Sequence, residues 1–232
     1  MHKVEGQEQT QEKKKIPRAK TTRNVFDKKE GVKLKVTNPA LQKVIGDAEM
    51  NGAWLIYGVE KHGKTQLALR IARDLAFNER VDYISAEEGM ESAFKMSMRR
   101  AGITTADKIF WHEYIPFEDL IEHYRQPRSA KIIIVDNLTV YENEIKKKLL
   151  KAQIDKLSNK LIIFVAHEER GIPSSPEARH VSKWAKVIFR VKGLTSFVKS
   201  RYDGGGGTIF INEDIGEMIW GEEPVKNIAE NI

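Results

Sequence analysis

The chain contains no cysteine, which excludes disulfides, thiolate metal sites and a cysteine nucleophile together. No apolar run approaches the ~20 residues that a membrane-spanning helix needs. The N-terminus also lacks the apolar stretch of a secretory signal. These absences set the expectation of a cytoplasmic protein with no membrane partner. No internal repeat is visible.

What remains is an ordinary composition, with 41% hydrophobic and 31% charged residues in a chain of 232. That suffices for one α/β domain and hardly for two. The net charge of +6 is unevenly spread. Residues 1–35 hold eleven Lys or Arg and five Asp or Glu, which accounts for all of it, and the rest hold 28 of each. Residues 1–35 therefore read as a basic, disordered tail, able to touch phosphates or simply to keep the chain in solution. Residues 36–221 read as the domain, and 222–232 as a polar C-terminal tail.

Asn38-Pro39 reads as a helix start, with Asn as N-cap and Pro in the first turn, and the helix is expected to run to about Met50. Apolar runs at 53–57, 81–85, 108–111, 131–136 and 161–167 read as strands, with helical patterns between them. One of those helices is expected over Glu142 to Leu157, with Ile145, Leu149 and Leu150 packing inward. The strands are apolar throughout, as in a mostly parallel sheet covered by helices on both faces. A polar loop from Glu168 to about Pro176 is followed by KVIFRV, TSFVKSRY, GTIFIN and EMIW. These read as four short strands, an antiparallel extension of the sheet.

GVEKHGKT, Gly58 to Thr65, fits G-x-x-x-x-G-K-[ST] between an apolar strand and a helix. Such a loop wraps phosphates with inward-pointing backbone N–H groups. Gly58 and Gly63 provide unusual dihedrals and close approach. Val59, Glu60, Lys61 and His62 form the wall of the loop, and Gln66 follows in the first helical turn. Lys64 reaches the β and γ phosphates, and the Thr65 hydroxyl can ligate Mg²⁺. The helix N-terminus adds its dipole. The bland alternative is a tight turn with an exposed lysine. KIIIVD ends in Asp136, where a carboxylate can hold Mg²⁺ or its water; otherwise Asp136 merely ends a strand. Glu87 and Glu88 follow the strand VDYIS at the sheet's carboxyl edge. Glu87 is preferred as the base that orients water, unless both glutamates only cap the next helix.

In this order the motifs resemble the RecA/DnaB superfamily of P-loop ATPases over roughly residues 50 to 215. GVEKHGKT is similar to its phosphate loop, VDYISAEEG to its strand and catalytic glutamate, and IIIVDN to its Walker B segment. The resemblance implies a RecA-like core with ATP and Mg²⁺ as ligands, and ATP hydrolysis. IIFVAHEERG resembles the strand whose end senses the γ-phosphate, which implies that role for His167. FVKSRYDG resembles the basic finger that reaches a neighbouring subunit's ATP, which implies Lys199 and Arg201. The plain alternatives are a satisfied strand-end histidine and the solvated face of an edge strand.

The resemblance further implies single-stranded DNA as a partner, a hexameric ring or filament, and DNA-lining loops after Walker B and after the sensor strand. Those loops would carry Lys146, Lys147 and Lys148, and Arg170, Arg179 and Lys183. The first set equally reads as an ordinary charged helix face. No helicase or primase-binding domain precedes the core, which favours the compact recombination or annealing type. A DNA-independent regulatory or scaffold ATPase of the KaiC kind is the alternative.

Overall fold

The computed structural model describes residues 18–220, except for the side chains of Lys147 and Lys148. The chain divides after Glu30 into two units. In the first, α1 (Thr22–Phe26) starts where the Thr21 hydroxyl accepts from the Asn24 N–H at 3.2 Å. Within the second unit, Leu34 is buried and Lys33 bridges to Glu49. Order in this unit thus begins before the expected Val36. Residues 222–232 of the expected C-terminal tail lie outside the described residues.

The second unit is an α/β layer structure. Its elements run α2 (Pro39–Ile45), β1 (Gly52–Gly58), α3 (Lys64–Ala76), β2 (Val81–Ser85), α4 (Ser92–Arg100), β3 (Ile109–His112), α5 (Phe117–Arg125) and β4 (Ile132–Asp136). They continue through α6 (Lys147–Asp155), β5 (Leu161–Glu169), β6 (Ile172–Pro173), α7 (Pro176–Ser182), β7 (Val187–Lys192), β8 (Thr195–Ser200), β9 (Gly207–Phe210) and α8 (Glu213–Trp220). One nine-stranded sheet has the order β3-β2-β4-β5-β1-β7-β8-β9, with β6 paired to β5. Pairing is parallel from β3 through β7 and antiparallel only at β7-β8-β9 and at β5-β6. KVIFRV therefore belongs to the parallel set.

Alternate residues of β1 face opposite sides. Trp54 and Ile56 join the core with Val44 of α2, Leu67, Ile71 and Leu75 of α3, and Phe94 of α4. Ala53, Leu55 and Tyr57 join Leu120 and Tyr124 of α5, Leu150 and Ile154 of α6, and Val181 of α7. Burial on both faces explains why these strands are apolar throughout. Among the described residues, no helix is long and apolar enough to cross a membrane.

Several elements depart from expectation for local reasons. α2 stops at Gly46, where φ is 64° and a Cβ would lie 2.4 Å from the Asp203 carbonyl oxygen. α6 starts only at Lys147, because the upstream Glu144 is committed elsewhere: its carboxylate accepts from the Phe117 N–H at 2.8 Å and caps α5. Ile145 is buried ahead of the helix, and Leu149 is exposed rather than inward. EMIW is helical, not a strand. Asn212 accepts from the Ile215 N–H at 3.0 Å, and Glu213 and Asp214 occupy the positive first turn of α8.

Gly58 has ordinary strand backbone, so its requirement is room rather than an unusual dihedral. A Cβ there would lie 2.1 Å from the Val191 carbonyl oxygen on β7. Gly58→Ala should push β1 from β7 and cost about 1–3 kcal/mol, as overpacking does. Chemical denaturation measures this; an unchanged midpoint would show that β7 yields freely.

Candidate nucleotide-binding site

Parallel pairing brings the carboxyl ends of five strands to one edge. Gly58 stands beside His167 of β5 and Val191 of β7, and Ser85 stands beside Asp136. Open parallel sheets place ligands at this edge. The loop from Val59 to Gly63 turns through left-handed backbone at Lys61 (φ 61°) and Gly63 (φ 100°). α3 starts without any side-chain cap, so its first N–H groups are left to an anion. His62 faces away from the loop, and its Nδ1 accepts from the Gly193 N–H at 3.1 Å. Gly193 and Leu194 form a two-residue hairpin with both φ values at 55°.

Lys64 is buried, and its ammonium has one hydrogen bond, to the Val59 carbonyl at 3.1 Å, out of three it can donate. Burial pushes its pKa down, and Asp136 chiefly opposes that shift. Asp136 is buried too. The fully buried Tyr83 hydroxyl donates to its Oδ2 at 2.6 Å, and the Thr65 side chain bonds to it as well. Burial pushes the Asp136 carboxyl from the ordinary 3.8 to about 6, against these two hydrogen bonds. Glu87 is held from two sides. Asn137 Nδ2 donates to its Oε2 at 2.9 Å, and His167 Nε2 lies 3.4 Å from its Oε1. Glu88 lines the same cavity, but no hydrogen bond holds its carboxylate there among the described residues.

Lys64, Thr65, Gln66, Asp136, Glu87 and His167 thus line one cavity of about 820 Å³, which also takes in Arg70 and Arg100. Among the described residues, no group of three or more His, Asp or Glu could hold a metal unaided. A hard cation here would need Thr65, Asp136 and oxygens from a ligand, as Mg²⁺ at phosphates does. The underused ammonium, the uncapped helix start and this donor pair fit a Mg²⁺-bound polyphosphate. Tyr83 and Asn137 were not anticipated as site residues. Their partners lie 53 and 50 positions away in sequence, and only strand order reveals them.

The remaining nominated residues lie elsewhere. Lys199 pairs across β8 with Ile188, at the amino end of β7, opposite the phosphate loop. Arg201 is at the same end, its Nη2 donating to the Lys183 carbonyl at 2.8 Å. Lys146 precedes α6, which contains Lys147 and Lys148. The segment after β5, expected as a loop, contains β6 and α7. Glu168 lies in β5 in a two-bonded ion pair with Arg190, both bonds 3.0 Å, and α7 follows β6. Arg170 sits in the turn with φ 53°, Arg179 is exposed on α7, and Lys183 ends that helix.

No family model matches the chain, and no curated protein does. Among solved structures, the flagellar accessory protein FlaH from Methanocaldococcus jannaschii is similar, with 19% identity over 77% of this chain and 91% of that one, at a TM-score of 0.55. The fold is RecA-like. At that identity the likeness speaks for the fold alone.

The buried Asp136 charge predicts a measurable instability. Its folded pKa lies above the unfolded value, so stability falls as pH rises from 3.8 to about 6, and the loss is complete above that. Asp136→Asn should therefore raise the ligand-free Tm at pH 7.5 by several degrees and leave it unchanged below pH 4. A lower Tm at pH 7.5 would show that pairing with Lys64 outweighs burial.

Proposed function

We propose that this chain binds ATP with Mg²⁺, hydrolyses it, and acts on single-stranded DNA, with ATP held where copies of the chain meet. The observation that carries the reading is the convergence of Lys64, Thr65, Asp136 and Glu87 on one cavity. Backbone N–H groups of the loop and of the first turn of α3 would hold the phosphates. Lys64 would supply a point charge to them, and Thr65 and Asp136 would hold the Mg²⁺. When bound, the metal neutralises charge on the phosphates. Glu87, oriented by Asn137, accepts a proton from water and aims it. His167 contacts that carboxylate and is placed to report on what occupies the cavity.

Lys199 and Arg201 stand at the far end of β8, so any role at a nucleotide would be in another copy's site. The basic residues of 1–35 and exposed Arg170, Arg179 and Lys183 support contact with a phosphate backbone. One observation favours a second reading. The similar fold belongs to a protein named as a flagellar accessory protein, which suits a nucleotide-switched scaffold.

Steady-state ATP hydrolysis with and without single-stranded DNA separates the two. Lys64→Ala should lose nucleotide binding. Glu87→Gln should keep binding and lower turnover by on the order of 10²-fold or more. Stimulation by DNA that Glu87→Gln removes supports the first reading. Turnover indifferent to DNA supports the scaffold. Unchanged binding in Lys64→Ala refutes both.

A further inference from the structure

A second cavity, of about 860 Å³, lies along the C-terminal half of α3. Arg70 and Arg100 line both cavities, whereas Arg73, Phe77 and Lys108 line only this one. Its four cations face two carboxylates, Asp74 and Asp107. Each carboxylate is engaged through one oxygen, and the buried Asp74 Oδ2 has no hydrogen-bond partner among the described residues. Asp74 Oδ1 accepts from the Thr37 and Asn38 N–H groups at 3.1 Å, and Asp107 Oδ2 accepts from the Thr104 N–H at 2.7 Å. No ion pair forms between these acids and the cations among the described residues. Nor do the side chains of Arg70, Arg100 and Lys108 make any hydrogen bond or ion pair there.

The cations are nonetheless arranged. Arg73 is fixed by a bond from Nη1 to the Ala101 carbonyl at 3.3 Å. Gly102 makes room for it: φ there is 71°, and a Cβ would lie 2.7 Å from that nitrogen. Arg70, one turn earlier, is partly desolvated and repelled by Arg73, and both effects push its pKa down. Two like charges one turn apart on a helix repel each other, and an anion between them would relieve that.

Phe77 adds a flat apolar surface. It follows Arg70 and Arg73 at the i, i+3, i+7 spacing of one helix face, and it is 75% exposed. The core side of α3 is already supplied by Leu67, Ile71 and Leu75, so packing does not account for Phe77. Cations beside an exposed aromatic ring match a ligand that carries both a phosphate and a base.

We propose that this cavity binds a nucleotide unit, with its phosphate on Arg70, Arg73, Arg100 and Lys108 and its base stacked on Phe77. The unit could come from a free nucleotide or from a single strand. The site is separate from the phosphate loop and does not depend on ATP hydrolysis. Through Arg70 and Arg100, however, a ligand here would adjoin one there.

The test uses the full chain, a fluorescein-labelled thymidine 20-mer read by anisotropy, and thymidine monophosphate read by calorimetry. Thymidine monophosphate lacks the β and γ phosphates that a phosphate loop grips. Phe77→Ala should weaken binding of the bound probe roughly 5- to 150-fold, the usual range for one lost base stack. Lys108→Ala should reduce the log–log salt slope of the 20-mer by about 0.7, one phosphate contact to a single strand. Both side chains are exposed, so melting temperatures should match wild type, and ATP affinity should be unchanged. Binding of the 20-mer alone identifies a strand as the source; binding of thymidine monophosphate as well identifies a free nucleotide. If neither probe binds, or if both variants bind as wild type does, the proposal is overturned. Separately measured ATP affinity keeps that outcome distinct from a failure of the phosphate-loop reading.

Discussion

A buried carboxylate beside a buried ammonium is the constraint around which this domain is organised. Neither Asp136 nor Lys64 would stay charged cheaply in the interior. Tyr83 and Thr65 give Asp136 its hydrogen bonds, and the Val59 carbonyl gives Lys64 one. That arrangement requires β1, β2 and β4 to end at the same edge, which only a parallel sheet with helical crossovers provides. The close approach of Gly58 to β7 and the tie from His62 to Gly193 then hold the loop from its other side. The site is thus strained electrostatically and held mechanically, as a ligand-dependent centre is expected to be.

Much of this was legible in the sequence where the signal is local. The loop from Gly58 to Thr65 carries its own spacing, and Asp136 follows an unbroken run of β-branched residues that reads as a buried strand. Signals failed where tertiary contacts decide. EMIW has the apolar content of a strand, but Asn212 and two acidic residues make it a helix. The helix expected from Glu142 begins only at Lys147, and Glu144 caps α5 instead. α7 was hidden inside a stretch whose prolines suggested only loop. One of them, Pro176, instead opens the helix behind the Ser175 cap. Tyr83 and Asn137 carry no local mark at all, since their roles arise from strand order.

The two cavities along α3 suggest how the chain's charge is used. The basic excess was traced to residues 1–35, leaving the body neutral in sum. Neutral in sum is not neutral in place. Arginines on α3 and α4 gather where no ion pair with Asp74 or Asp107 forms among the described residues, and Arg70 and Arg100 belong to both cavities. A ligand in one would change the field in the other without any movement of the backbone. By contrast, Lys199 and Arg201 stand at the opposite end of the sheet from the phosphate loop.

The most direct test of the central claim is calorimetric titration of the full chain with ATP, ADP and AMP, each with Mg²⁺ and with a chelator. The account predicts that ATP and ADP bind much more tightly than AMP, because the loop grips the β-phosphate. It also predicts that chelation weakens ATP and ADP while leaving AMP unchanged. Equal affinity for all three, or affinity indifferent to Mg²⁺, would contradict it.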